Sequence, residues 1–405
     1  MGFQTFNCGK KMKARNKQFT DIAIIGGGLA GLCFAIQAVN KGYSVALFEK
    51  ESYPHQKVCG EYISMESWSF LKHLGIPLST MQLPLISRLE VSSVNGNVFK
   101  HALPLGGFGI SRFTLDALLA NVAIQKGVQL FTTTKITDVS YHEEATNKGS
   151  FKLKVQAASP TTIPQFYWEA LMAVGSFGKR SNLDVQWKRP FTQQKPNKLN
   201  NYVGIKYHIQ LPHKEDTIAL HNFKNGYCGI SKIEDNKSCL CYLTTAKNLK
   251  DYNGSIKRME ESILYKNPFL AQIFKEATFL YTQPIAISQI SFQQKQTIEN
   301  HVLMIGDAAG SITPLCGNGM SMAMHASKIA FKEVDLFLEH HISRSQMEHN
   351  YQQGWKQAFS TRLAVGRSIQ SMFGDVFTSN VLVNTMKTFP FLASPLIKAT
   401  HGKPF

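Results

Sequence analysis

The 405-residue chain has no apolar run near the roughly 18 residues that a membrane-spanning helix needs. It is short of acid: 27 Asp and Glu stand against 44 Lys and Arg, a formal net charge of +17. It has no Cys-x-x-Cys, and its seven cysteines, at 8, 33, 59, 228, 239, 241 and 316, are odd in number and irregularly spaced. A disulfide framework and a structural zinc site are therefore unsupported. No metal is expected, and free thiols in a reducing cytoplasm fit the pattern. Glycine and proline occur at ordinary counts, 29 and 15, which excludes collagen-like and low-complexity chains. At 43% apolar and 18% charged residues the chain is not wholly disordered and can build a large core. No internal repeat or long linker is visible.

The basic excess begins in the first 20 residues, where Lys10, Lys11, Lys13, Arg15 and Lys17 meet no acid, but most of it is spread through the body. Such a charge attracts anionic lipid, acidic substrates or nucleic acid. Nucleic acid is not expected as a partner, because there is no zinc-finger spacing and no basic helix with interleaved aromatics. Residues 1–18 read as a mobile basic tail. No apolar segment follows before residue 19, so the tail is not a secretory signal. The reading is a cytoplasmic protein, with peripheral contact to a membrane left open.

From Phe19 the pattern sharpens. Asp21-Ile22-Ala23-Ile24-Ile25 is a short apolar run of the kind a doubly buried parallel strand shows. Gly26-x-Gly28-x-x-Gly31 follows at once, then a helical pattern through Leu29, Leu32, Ile36 and Val39 that stops at Gly42. A second strand, Tyr43 to Phe48, ends on Glu49. Each part has a mechanical reason. Gly26 permits the tight turn, Gly28 lets a pyrophosphate approach the backbone, and Gly31 lets helix and strand pack closely. The helix N-terminus offers N–H groups to phosphates, and Glu49 can accept from ribose hydroxyls. Strand, glycines, helix, strand and acid in this order specify dinucleotide binding.

A second set of residues lies far downstream. Val302-Leu303-Met304-Ile305 reads as a strand, followed by Gly306-Asp307-Ala308-Ala309-Gly310, then Pro314, Gly317, Gly319 and Met320 before a helix with Ala323, Ala326, Ala330, Val334 and Phe337 on one face. A third is Gly109-Ile110-Ser111-Arg112, opening a helix through Leu115, Leu118, Leu119 and Ala123. Together these resemble the FAD-dependent oxidoreductases of the glutathione-reductase type, and within them the aromatic hydroxylase, flavin halogenase and geranylgeranyl reductase group. The resemblance covers about half of the chain. It implies FAD as cofactor, with Asp307 on the ribityl hydroxyls, Arg112 on the phosphates, and Gly306 and Pro314 to Met320 lining the flavin. Lys57-Val58-Cys59-Gly60-Glu61 resembles the turn beside the flavin in the reductase and halogenase branches. Lys57 and Gly60 are thereby weaker cofactor-binding candidates and Cys59 a weak catalytic one.

Two departures narrow the reading. The hydroxylases carry an Asp-Gly pair after their third long strand; here Gly175-Ser176-Phe177-Gly178-Lys179-Arg180 stands there, with Phe177 in the acid's place. Phe accepts no hydrogen bond, so either NAD(P)H or a separate reductase is left as electron donor. The Trp-x-Trp-x-Ile-Pro of tryptophan halogenases is absent. Gly226-Tyr227-Cys228-Gly229-Ile230 occupies the corresponding region, making Tyr227 a second weak catalytic candidate, with His208, His221 and His325 as further pocket residues.

The expected fold is α/β: a three-layer, Rossmann-like FAD-binding domain interleaved with a mixed β-sheet substrate domain and closed by C-terminal helices. The FAD domain takes residues 19–81, 102–185 and 285–335, the substrate sheet 82–101 and 186–284, and the helical region 336–405. Asn95-Gly96 marks a hairpin, and Asp235-Asn236 breaks two strands. The apolar stretch Phe389 to Ile397 reads as packing, a lid or membrane contact. The resemblance implies an FAD-dependent oxidoreductase acting on a lipophilic small molecule. Its first expectation is a monooxygenase that hydroxylates a phenolic lipid or polyketide through a flavin hydroperoxide. The alternatives are a reductase of isoprenoid or lipid double bonds and a redox-neutral flavoprotein.

Overall fold

A computed structural model describes residues 18–143, 149–157, 165–195, 197, 200–313, 317–370 and 372–405. Two sheets organise them. The first has eight strands: β1 (Phe19–Ile25), β2 (Val45–Phe48), β6 (Gln129–Phe131), β7 (Thr134–His142), β8 (Ser150–Ala157), β9 (Gln165–Gly175), β16 (Ile298–Glu299) and β17 (Val302–Met304). Its centre is parallel, in the order β6-β2-β1-β9-β17. β1 is apolar because it is covered on both faces; Ile22, Ala23 and Ile24 are fully buried. The β7–β8 hairpin adds antiparallel strands against β9.

Helix α1 (Leu29–Asn40) follows the glycine loop, and Gly42, at φ 95°, lets the chain leave it toward β2. Along the chain come α2 (Trp68–Leu74), α3 (Arg112–Gln125), α4 (Asn182–Gln186) and α5 (Pro190–Gln193). Next are α6 (Ala246–Asp251), α7 (Ile256–Ile263), α8 (Pro268–Glu276) and α9 (Gly319–Leu338). The last three are α10 (Arg344–Gln370), α11 (Val376–Thr388) and α12 (Ala393–Thr400). α1 packs on α3 and α9, and α9 in turn on α10. Together with the first sheet they form one continuous core.

The second sheet has nine strands: β3 (Tyr62–Ser64), β4 (Leu85–Ser92), β5 (Val98–Gly109), β10 (Asn200–Gln210), β11 (Thr217–Phe223), β12 (Gly226–Lys232), β13 (Ser238–Thr245), β14 (Thr278–Phe279) and β15 (Ile285–Ser291). Strand alternation divides its work. Val203, Ile205, Tyr207 and Ile209 of β10 pack with α7 and α8, while Tyr202, Gly204, Lys206 and His208 face the other way. That other face meets the loop after β2, where Val58 lies 3.0 Å from a Cβ built on Gly204. Further along, the same face carries Tyr227, Leu243, Ile290 and Phe292 against Val383 of α11 and Ala393 of α12.

Three segments expected at the dinucleotide end, residues 62–64, 102–109 and 285–291, lie in this sheet, as β5 continues to Gly109 and pairs with β3, and β15 pairs with β10. Leu103-Pro104-Leu105-Gly106-Gly107 has turn-like composition, but Gly107 is small for another reason. A Cβ there would lie 2.3 Å from the Tyr62 ring and 2.5 Å from the Ile63 carbonyl. Asn95-Gly96 does close a hairpin, and Asp235 and Asn236 adopt positive φ between β12 and β13.

Candidate functional site

The C-terminal ends of β1, β2, β9 and β17 meet at one edge of the parallel sheet, the place where open α/β sheets bind ligands. Gly26 turns there at φ 103°; a Cβ on it would lie 2.4 Å from the Ser176 carbonyl oxygen. A Cβ on Gly31 would lie 2.2 Å from the Gly26 carbonyl, so α1 can start this close to β1 only as glycine. Glu49 is buried, accepting from the Gly27 N–H through Oε2 at 2.7 Å and from Glu51 N–H through Oε1 at 3.0 Å. The Tyr53 hydroxyl donates to the Gly27 carbonyl. Gly28 is the N-cap of α1 and supplies no side-chain cap. The first-turn N–H groups, with the positive dipole end, therefore face outward.

Two cations stand at this helix end. A Cβ on Gly28 would be 3.9 Å from both the Arg112 guanidinium and Lys57 Nζ. Both are fixed by Asp116, one turn into α3. Arg112 donates twice to it, at 2.8 Å each, and Lys57 once at 3.0 Å. Asp116 is fully buried; burial opposes its charge, but the Arg112 and Lys57 charges win and hold its carboxyl below the usual carboxylate range. Two cations against one carboxylate leave a net positive charge beside open N–H groups. That is the donor set a pyrophosphate needs.

The Gly-Asp segment closes the other side. Gly306 has φ 60°, and a Cβ on it would sit 3.1 Å from Ala30 Cβ, so this turn abuts the start of α1. Its backbone is tied from behind. Buried Lys295 donates to the carbonyls of Asp307 and Lys179 at 2.7 Å each, and Arg189 to that of Ala308 at 3.1 Å. Burial pushes the Lys295 ammonium down to about 8. The half-buried Asp307 carboxylate has no hydrogen bond among the described residues, leaving it free for ligand hydroxyls. Gly317 (φ 65°) lies against the Tyr62 ring, Gly319 opens α9 without a side-chain cap, and Met320 is buried. Pro314 lies outside the described residues. Gly60 is open, with nothing within 4 Å of a Cβ.

Cys59 is half-buried, and its carbonyl accepts from the Cys239 thiol at 3.2 Å. Beneath it lies a closed ring of hydrogen bonds. Glu61 Oε1 accepts from Lys206 Nζ at 2.6 Å, and Lys206 also donates to Gln56 Oε1 at 3.0 Å. Gln56 Nε2 donates to the Tyr281 hydroxyl at 2.7 Å; Tyr281 meets His208 Nδ1 at 2.7 Å; His208 Nε2 returns to Glu61 Oε2 at 2.6 Å. Glu61 Oε1 also accepts the Arg112 N–H at 2.9 Å, coupling this ring to the phosphate cradle. Glu61 is fully buried at φ 55°, a conformation the surrounding bonds enforce. Burial opposes its charge, yet the His208 hydrogen bond and the Lys206 ammonium hold its carboxyl below the usual range. Glu61, His208 and Cys239 have metal-ligand atoms within 4.8 Å of one another. The Lys206 ammonium already serves as their cation.

The other candidates lie elsewhere. Tyr227 packs edge-on to Phe373 and pairs with Leu243, four residues along β13 from Cys239. His221 meets Ser92 at 2.8 Å and stacks on Phe269, and burial lowers it to about 4. His325 stacks on Phe405 and is likewise lowered to about 4 by burial. Both are packing residues. Sequence reasoning missed Asp116, Glu61, Lys206, Tyr281 and Lys295. Only two signals pointed to them: the i,i+4 spacing of Arg112 and Asp116, and the alternation of Lys206 with His208 in one strand.

Comparison with known proteins agrees with this geometry. A family model described as an NAD(P)-binding Rossmann-like domain matches residues 24–55. Conditioned medium factor receptor 1 of Dictyostelium discoideum is 22% identical over 368 residues, 86% of this chain and 70% of its own length. Digeranylgeranylglycerophospholipid reductase of Methanosarcina acetivorans is 23% identical over 366 residues, 88% of this chain and 85% of its own. Kynurenine 3-monooxygenase of Flavobacterium johnsoniae is 20% identical over 346 residues, 80% and 76%. The solved flavin-dependent brominase Bmp2 superposes with TM-score 0.75 at 17% identity, over 94% of this chain and 93% of that one. Residues 24–55 thus form an NAD(P)-binding Rossmann-like domain, and over most of its length the chain is similar to a digeranylgeranylglycerophospholipid reductase and a kynurenine 3-monooxygenase and shares the fold of a flavin-dependent brominase. No helix among the described residues is long and apolar enough to cross a membrane.

Proposed function

We propose that this protein reduces carbon–carbon double bonds of a lipophilic, isoprenoid-type substrate. FAD supplies the redox chemistry when bound. Gly28, Arg112 and Lys57 would hold its pyrophosphate, Asp307 its ribityl hydroxyls, and Glu49 the ribose. The observation that carries the choice of reaction is Phe177. Its ring lies edge-on to Trp187, 6.3 Å between centroids, and 2.9 Å from a Cβ on Gly175. The place where hydroxylases carry an acid for pyridine nucleotide is thus filled by a hydrocarbon, which favours a separate reductase as electron donor. The near full-length likeness to the digeranylgeranylglycerophospholipid reductase agrees. Hydroxylation of a lipophilic aromatic is the second reading, favoured by the likeness to kynurenine 3-monooxygenase.

The test uses lipid extract from cells lacking the protein, treated with FAD-loaded enzyme and a broad electron-donor system under oxygen-18 gas. A product two hydrogens heavier, formed equally without oxygen, is expected. A product carrying one oxygen-18 atom would establish hydroxylation instead.

A further inference from the structure

More than half of the exposed large apolar side chains among the described residues fall within one 25-residue stretch, 372–396. Phe377 is 76% and Phe391 68% exposed, values that packing on the main body would not leave. Phe377 and Val381, one helical turn apart, share the outer face of α11. Phe389 and Phe391 form an edge-on pair with centroids 6.1 Å apart, followed by Leu392 and Leu396 on the next turn. The inner side of the same segment is ordinary core: Val383 and Ala393 are buried against the second sheet.

Charge identifies the occupant. From Val376 to Phe405 the chain has no acid and three lysines, Lys387, Lys398 and Lys403, all exposed, in a protein of net charge +17. Asp375, the N-cap of α11, is the one acid at its border. Aromatic and aliphatic wedges flanked by lysines suit an anionic bilayer, where the apolar groups enter the interface and the ammonium groups meet lipid phosphates. An acidic protein partner would meet the lysines but not this many splayed phenylalanines. We propose that α11 and α12 seat the protein on an anionic phospholipid surface. The sheet face they cover is the one that carries the Cys59–Glu61 turn further along, so a lipid leaving the bilayer would arrive on the substrate side. The proposal stands on exposure and charge, not on which reaction the enzyme performs.

The test is flotation of the FAD-loaded full chain with vesicles of phosphatidylcholine, alone or with about one-third phosphatidylglycerol. Wild type should float with the anionic vesicles. Phe377→Ser/Phe391→Ser should weaken binding at least about tenfold, since two buried rings are lost. Lys387→Glu/Lys398→Glu should weaken it by roughly fivefold or more per lysine, and only on the anionic vesicles. Both variants should keep wild-type melting, because the altered side chains are exposed. Vesicle binding is read without turnover, so it fails or succeeds independently of the reductase assignment. Absence of wild-type binding would overturn the proposal, as would undiminished binding by the serine variant. So would a lipid-free wild-type dimer that the serine variant splits, which would make this face an interface between copies.

Discussion

Asp307 and Glu61 make opposite kinds of claim. Asp307 presents a carboxylate with no hydrogen bond among the described residues, so its worth lies in what it binds. Asp307→Ala should leave melting of the FAD-free chain within about 0.5 kcal/mol of wild type, as expected for a half-buried side chain that makes no hydrogen bond among the described residues. The purified protein should nevertheless carry little FAD by its visible absorbance; a fully yellow variant would remove the cofactor role. Glu61 is the reverse, a buried charge already saturated by Lys206 and His208. Removing one partner of a buried ion pair costs about 3–5 kcal/mol, so Glu61→Gln should be strongly destabilised at pH 7. Its pH dependence has a definite sign. A carboxyl depressed in the folded state contributes stability above its ordinary value of 4.5, and that stability is lost as pH falls through the folded value. The gap between wild type and Glu61→Gln, from urea melts, should therefore narrow as pH drops below about 4.5. A constant gap would mean that Glu61 is not ionised in the folded protein.

At the scale of elements, what could be read in the chain was what repeats. The β1–glycine loop–α1–β2 unit was legible because apolar runs, glycines and the closing acid fall in a fixed order. α9 was legible because its apolar residues recur at helical spacing. β5 was not legible past residue 101, because Pro104 and Gly106-Gly107 look like a turn; Gly107 is there for the close approach of Tyr62 and Gly106 for its positive φ against the Ile86 carbonyl, contacts remote in the pattern. The Glu61 ring was not legible because its members come from a loop, a strand and the stretch after β14, and no local spacing joins 56, 61, 206, 208 and 281. Phe177 was legible as a departure, and it can be tested as one. It is half-buried at the end of β9 with Trp187 as neighbour, so a smaller polar residue can be accommodated there. Phe177→Asp restores an acceptor at the turn that follows the strand. It should speed reduction of bound FAD by NAD(P)H in anaerobic stopped flow, by roughly tenfold if one charge-assisted hydrogen bond of about 1.5 kcal/mol is gained. An unchanged rate would detach this position from the choice of electron donor.

Over the whole molecule, the two sheets share no strand, yet they share charges. Arg112 belongs to the phosphate cradle through Asp116 and, by its backbone N–H, to Glu61, which is held by Lys206 and His208 of β10. Cys239 of β13 reaches the same turn through the Cys59 carbonyl. Occupying the cradle should therefore tighten both sheets, not only the one that carries the glycine loop. At a hundredfold excess over its dissociation constant, FAD should add about 2.7 kcal/mol to stability by mass action. Amide hydrogen exchange tells where that protection goes. Slower exchange is expected at Gly26 to Leu32 and also at Lys206, His208 and Cys239, in a sheet with no place in the dinucleotide motif. In Glu61→Gln, the slowing of exchange on adding FAD, read as the difference between the loaded and the FAD-free variant so that its lower stability cancels, should persist at Gly26 to Leu32 and vanish at Lys206, His208 and Cys239. Protection confined to the parallel sheet in wild type would mean the second sheet is a passive roof, and the buried ring serves its own packing alone.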